Sequence, residues 1–366
     1  MKNITPNWGY NYEDFDPFKI ACQKAGLATA QNLNRFGFRE VTESRGESCY
    51  LIETPDSFLA FLVEGLGTKN MAADIMYEAT GKSYYDQIAI CALATMFNDM
   101  ATTGADPFAV QMHLASGDSK WFVPENKRPS DLILGWVNGC NMVGATWGGG
   151  ETQALKKMQD SETAVISGAV LGIIKPKEYR IRERICDGDR IVILFSSGIH
   201  ANALTMARKV GVYHGYLQPM SSGRIYGDAL LTETILYGPI VRAMLDEGIE
   251  IHYALNITGH GWRKLMRAQA PFEYIVEKLP PVHPEFEVIQ QYANISDYEA
   301  YSQMNMGGGF ALYIPEKDAD RAVAISEQKG VGAINAGFIR ATKGQRSVHI
   351  VPKDIRFDGQ TLDIRA

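Results

Sequence analysis

Strand-like and helix-like segments alternate along both halves of this chain, which predicts layered α/β or α+β architecture. Three observations carry that expectation. Short continuous apolar runs, F-L-A-F-L-V at 58–63 and R-I-V-I-L-F at 190–195, read as buried strands. Longer segments with apolar residues on one side read as helices. Clusters of glycine and proline punctuate the boundaries. At 366 residues the chain is long enough for two domains. The charged stretch at 175–184, which carries Pro176, is the expected boundary. The predicted organisation is an N-terminal extension over 1–45, a first domain over 46–174 and a second over 175–366.

The elements follow in order. A helix is expected near 18–34, then strands at 49–53 and 58–63. Residues 84–103 read as a buried helix with Ile88, Cys91, Leu93, Ala94 and Phe97 inside, stopped by Gly104 with Pro107 beyond it. A strand follows at 108–114. Ser130 is the expected N-cap of a helix running to about Met142. Residues 144–152 read as a glycine-rich loop and 161–174 as a long strand. In the second half, 190–195 is a strand, 203–210 a helix and 228–247 a single helix. The text H-Y-A-L-N-I-T-G-H-G reads as strand then loop, and W-R-K-L-M-R-A as a helix. Strands are expected in M-N-M-G-G-G-F-A-L-Y-I and H-I-V-P, with a helix at 318–328 between them.

Composition narrows the function classes. The chain is 46% hydrophobic and 21% charged, ordinary globular usage. A net charge of -6 argues against a general nucleic-acid binder but permits a local basic pocket. Five cysteines without a C-x-x-C pair read as reduced thiols, neither a disulfide framework nor a zinc site. No window approaches the roughly 18 apolar residues of a membrane span. No leader-like stretch opens the sequence, so a cytoplasmic protein is expected.

Four glycine-rich loops carry polar groups: Glu64–Lys69, Gly148–Thr152, Ser196–Asn202 and Thr258–Gly261. In the first, Gly65 and Gly67 would let backbone N–H groups approach an anion, and Lys69 would add charge. A strand ending in a tight turn explains the same text. Several such loops together suggest a nucleotide or phosphate site built from segment ends. Glu64, Asp99 and Glu151 lie at segment ends and suit Mg²⁺, which shares its shell with phosphate. A local cap for Asp99 and a helix start for Glu151 are the plainer readings. His113 reads as a core histidine, whereas His200 sits in a loop after a strand, where binding residues concentrate.

The motifs, in order, resemble the aminoimidazole ribonucleotide synthetase (phosphoribosylformylglycinamidine cyclo-ligase) family. E-G-L-G-T-K is similar to the family's D-G-V-G-T-K. N-D-M and G-A-D-P at 98–107 resemble N-D-L and G-A-E-P. G-G-E-T at 149–152 matches outright. S-S-G-I-H-A-N-A at 196–203, N-I-T-G-H-G at 256–261 and M-N-M-G at 304–307 resemble S-S-G-L-H-S-N-G, H-I-T-G-G-G and F-N-M-G. The resemblance implies an α+β fold of two α/β subdomains. The N-terminal half would pair across a homodimer into a β-barrel, and the C-terminal half would be a mixed sheet packed with helices. It implies ATP and Mg²⁺ as cofactors and a small phosphorylated substrate, with no nucleic-acid or membrane partner.

Carried over residue by residue, it implies nucleotide contacts from Glu64, Gly65, Gly67, Thr68, Lys69, Asp86, Asn98, Asp99, Gly149, Gly150, Glu151 and Thr152. Metal would be held by Glu64, Asp99 and Glu151. Substrate would meet Ser197, Gly198, His200, Asn202, Asn256, Thr258 and His260, and catalysis would rest on Lys69 and His200. The departures are specific. Glu64 replaces an aspartate. Cys91, Met112 and His113 stand where acids are expected. Ile235 replaces an arginine, Asn256 a histidine and His260 a glycine. A cyclo-ligase, an ATP-using relative with another small substrate, and a non-catalytic dimeric relative all fit this pattern.

Overall fold

The computed structural model describes residues 12–362. Residues 1–11, part of the predicted N-terminal extension, and 363–366 lie outside the described residues. The chain forms α1 (Tyr12–Leu27), β1 (Arg39–Glu40), β2 (Tyr50–Glu53), β3 (Phe58–Gly65), α2 (Asn70–Thr80), α3 (Tyr85–Ala101), β4 (Asp106–Ser116), α4 (Lys127–Val143), β5 (Thr146–Ala154) and β6 (Ala164–Ile174). Then come β7 (Arg190–Phe195), α5 (Leu204–His214), α6 (Tyr226–Leu230), α7 (Gly238–Asp246), β8 (Tyr253–Asn256), β9 (Phe272–Val276), α8 (Pro284–Ala293), α9 (Asp297–Gln303), β10 (Gly308–Ile314), α10 (Glu316–Gln328), β11 (Ala333–Ala341), β12 (Ser347–Ile350) and β13 (Ile355–Asp358).

Two mixed sheets organise these elements. The first has the order β1-β2-β3-β6-β4-β5, the second β13-β12-β9-β11-β7-β10-β8. The α+β expectation therefore holds. In the first sheet, β3 alternates strictly: Phe58, Ala60 and Leu62 are buried, while Phe61 and Val63 are exposed. The buried side packs on α3, whose Ile88, Cys91, Leu93, Ala94 and Phe97 are all within the core. A helix apolar on nearly every side belongs between layers. Close approach of α4 needs its small residues. A Cβ at Gly135 would stand 2.1 Å from the Asp86 carbonyl oxygen, and one at Gly139 would stand 2.5 Å from Leu93. The outer side of the sheet is apolar and open, with Phe61, Val63, Phe108 and Val165 each at least 40% exposed.

Several local expectations are corrected. The helix near 18–34 is α1 followed by a 3₁₀ turn, Ala30–Phe36. Asn126, not Ser130, caps α4: its side chain accepts the Arg128 N–H, while Ser130 Oγ donates to the Lys127 carbonyl. Pro129 sits in the first turn, where its missing N–H costs nothing. The glycine-rich loop at 144–152 is largely strand β5, parallel to β4 with a register shift opposite Val110/Gln111. The helix expected over 228–247 is split into α6 and α7 by the non-helical residues 231–237. W-R-K-L-M-R-A forms a 3₁₀ helix, Gly261–Met266. The sequence reading missed β1, α2, β9, α8, α9, β11 and β13, which lack a distinctive motif. No helix among the described residues is long and apolar enough to cross a membrane.

Candidate functional site

The Glu64–Thr68 turn, α3, the loop before α5 and the end of β8 converge on one cleft of about 330 Å³. Its wall includes Glu64, Gly65, Gly67, Thr68, Asp99, Asn202, Asn256 and Thr258, all singled out in the sequence. The local causes are visible. β3 ends as its last hydrogen bond, Leu66 N–H to the Ile166 carbonyl, hands over to a turn at Gly67. Gly67 has φ +76°, and no atom lies within 4 Å of where a Cβ would be. Its left-handed backbone and open side leave the peptide edge available to a ligand.

Two carboxylates share this space. Glu64 reaches solvent through the cleft, but protein mass around it and the Asp99 charge push its carboxyl up to about 7. Mutual repulsion of this kind is relieved by a bound cation, so the donor pair fits Mg²⁺. Asp99 Oδ1 accepts the Asn256 side-chain amide at 2.9 Å, which fixes its rotamer. Opposite the acids, Ala201, Asn202, Ala203, Leu204 and Thr205 line the cleft at the start of α5. An 11-residue helix thus presents its N-terminal end to the same space as the acids. Unpaired first-turn N–H groups and the helix dipole favour a phosphate there.

Other predicted residues lie behind the wall. Lys69 is fully buried and its Nζ donates to the Thr232 carbonyl at 2.7 Å. Asn98 spends its amide on the backbone of the segment before α7, donating to Ile235 O and accepting from Tyr237 N, both at 2.8 Å. Cys91 accepts the Thr234 N–H at 3.3 Å, so the thiol standing where an acid was expected holds this same segment. Asp86 lies in the first turn of α3, beside α4. Ser197 Oγ donates to the Glu233 carbonyl. Gly198 has φ +148°, and a Cβ there would meet Glu285. His200 is buried, and its Nε2 accepts the Ser197 N–H at 3.2 Å. Burial, with Lys69 nearby, holds His200 down at about 3, so it is a neutral imidazole that shapes the loop. Burial and the neighbouring cations likewise hold His260 at about 3.

The G-G-E-T motif is elsewhere in the chain. Gly65, Ser167, His113 and Glu151 form one row across β3, β6, β4 and β5. At about 4.8 Å per strand, Glu151 lies about 14 Å from Gly65. It shares the open face with Val63, whereas Glu64 alternates to the helix side. Gly149, Gly150 and Thr152 are exposed on that outer strand with it. Within one chain, Glu151 therefore does not join Glu64 and Asp99.

One group at the site escaped the sequence reading. Lys264 is 8% exposed, and its Nζ donates to Asn256 O at 3.2 Å and to Thr258 Oγ1. Burial pulls its ammonium down to about 8, against the attraction of Asp99 and Glu64. W-R-K-L-M-R-A reads only as a helix, which does not say where its lysine points; the 3₁₀ turn directs it inward.

Residues 46–174 match the model for AIR synthase related protein, N-terminal domain, and 187–350 match that for the C-terminal domain. The chain belongs to the AIR synthase related family. It is 31% identical to a phosphoribosylformylglycinamidine cyclo-ligase of Methanocaldococcus jannaschii, covering 77% of this chain and 78% of the relative. It is 29% identical to that of Methanococcus maripaludis, covering 86% of each. Among solved structures, hydrogenase maturation protein HypE in complex with ATP superposes with a TM-score of 0.58 at 15% identity, covering 83% of this chain and 85% of that one. Phosphoribosylformylglycinamidine synthase II of Thermotoga maritima gives 0.57 at 12% identity, over 86% of this chain and 46% of that one. These likenesses establish the shared fold.

Proposed function

We propose that this AIR synthase family member is an ATP-dependent cyclo-ligase that converts formylglycinamidine ribonucleotide to aminoimidazole ribonucleotide, releasing ADP and phosphate. The carrying observation is the cleft in which paired carboxylates, Glu64 and Asp99, face the N-terminus of α5 across glycine-bearing turns. Phosphoryl transfer asks for positioning and charge compensation more than for covalent chemistry by the protein. Glu64 and Asp99 would hold magnesium, whose charge would compensate that of the nucleotide phosphates. The Glu64–Thr68 turn would receive one side of the phosphate chain, and the start of α5 with Asn202 the other. The formyl oxygen of the substrate takes the γ-phosphoryl group, a nitrogen of the same molecule closes onto the formyl carbon, and that oxygen leaves as phosphate. Asn256 and Thr258 would contact the substrate. His200 orders the Ser196–Asn202 loop as an acceptor. Lys69, Asn98 and Cys91 fix residues 232–237 behind it.

The open apolar face of the first sheet supports a homodimer in which two such sheets close into a barrel. In that assembly Glu151 would serve a site it shares with the partner. A different acceptor in the same reaction class is the second reading. It is favoured by Ile235 and Asn256, where the related motifs carry arginine and histidine, and by Lys264 beneath Asn256. Substrate-dependent ADP release, with formylglycinamidine ribonucleotide against other small amides and carboxylates, separates the two readings.

A further inference from the structure

A second constellation of ligating side chains lies at the far end of the strands that feed the cleft. Asp189 directly precedes β7 and His252 directly precedes β8; both strands run from there toward the site loops. Asn256 lies four strand steps from His252, about 13 Å. Cys186 Sγ, an Asp189 carboxylate oxygen and a His252 ring nitrogen all lie within 4.8 Å of one another. Asp189 and His252 are almost fully buried, whereas Cys186 is exposed and gives the cluster an entry path.

The cluster is preformed by the backbone. Cys186 N–H donates to Asp189 Oδ2 at 2.8 Å, and Asp189 N–H returns to the Cys186 carbonyl at 3.2 Å. Gly188, at φ +88°, closes this turn. The Arg184 N–H donates to the His252 carbonyl at 3.0 Å, tying the turn's approach to the start of β8. His252 Nδ1 lies 2.8 Å from Asp189 Oδ2, and its Nε2 lies 3.3 Å from Glu250 Oε1. Arg184 in turn sits 3.5 Å from Glu250.

We propose that Cys186, Asp189 and His252 form a binding site for a zinc-class divalent cation. A thiolate, an imidazole and a carboxylate are the donor set that borderline-soft cations select, and three protein ligands leave a fourth position for water on the Cys186 side. Proton movements balance. The thiol proton leaves to solvent. The ring proton between Nδ1 and Asp189 moves to Nε2, where Glu250 accepts it, so Nδ1 and the Asp189 oxygen turn to the metal. Glu250 then orients the imidazole from behind. The bound ion staples the segment between the two sheets to β8. The sequence conceals the site because 66 positions separate Cys186 from His252, and no short Cys/His spacing announces it.

The test uses the full-length protein stripped with a chelator and titrated with Co²⁺. One equivalent is expected to produce a thiolate-to-cobalt charge-transfer band that Zn²⁺ abolishes by displacement. Cys186→Ser, at an exposed position that leaves packing intact, is expected to lose the band. Glu250→Gln is expected to weaken zinc binding about tenfold. Glu64→Gln is expected to leave the band unchanged, because the proposed nucleotide cleft offers no thiol. In a Cys22→Ser background, Zn²⁺ is expected to slow modification of Cys186 by a thiol reagent. Absence of the band with unchanged thiol reactivity would overturn the proposal. A band that persists in Cys186→Ser would also overturn it, whatever becomes of the cleft.

Discussion

At the level of single residues, the account turns on Glu64. Its carboxyl is raised to about 7 by burial and by Asp99, so it binds a proton that the unfolded chain has already released. The stability it contributes is complete below the unfolded value near 4.5 and is lost as pH rises through about 7. Under the proposed function cation binding would run the other way, since only the ionised pair would hold Mg²⁺. Magnesium-dependent nucleotide affinity is therefore expected to fall about tenfold per pH unit below 7, and calorimetric titration across pH 5.5–8 would show it. Glu64→Gln is expected to remove that dependence together with most of the affinity. Lys264→Met deletes the cation that holds Glu64 down from behind Asn256, so the midpoint of the same profile is expected to move above 7. The glycines and acids of this cleft were legible in the sequence because their chemistry is local. Lys264 was not, because its inward direction comes from a 3₁₀ turn in a segment whose pattern also suits a helix.

Among the elements, residues 231–237 decide whether the two halves fit together. The sequence reading made them part of one helix, and their composition allows it. What keeps them non-helical is tertiary: Lys69, Cys91 and Asn98 take up their backbone groups, and Pro239 begins α7 afresh. A one-dimensional pattern carries no trace of such partners. Asn98→Ala leaves two buried backbone groups unpaired, and urea unfolding is expected to show a loss of about 3 kcal/mol. Gly104 is the opposite case, readable as the stop of α3. The structure adds that a Cβ there would stand 2.0 Å from the Tyr179 carbonyl oxygen, with φ at +79°. Gly104→Ala is expected to destabilise by more than the ~1 kcal/mol of an ordinary left-handed glycine, because the segment after β6 must move. A thermal melt within error of wild type would show that this segment yields freely.

For the whole molecule, the two-sheet α+β architecture was legible because strand and helix text alternate, while the strands of the second sheet without motifs were recovered only by their pairing. Glu151 raises the larger question. The G-G-E-T motif is intact, yet its acid lies on the open face, about 14 Å across the sheet from Gly65. Closure of that face against a second copy is expected to give a dimer by sedimentation, and Val63→Asp to give monomers. Mixed dimers of Glu64→Gln and Glu151→Gln chains are expected to regain part of the activity that each variant lacks alone, since one shared site would then be whole. The most direct measurement is ADP release by the purified protein with Mg-ATP, with and without formylglycinamidine ribonucleotide. The account predicts turnover that depends on this substrate and disappears in Glu64→Gln. ATP binding without substrate-dependent ADP release would contradict the cyclo-ligase assignment and turn attention to an acceptor matched to Ile235, Asn256 and Lys264.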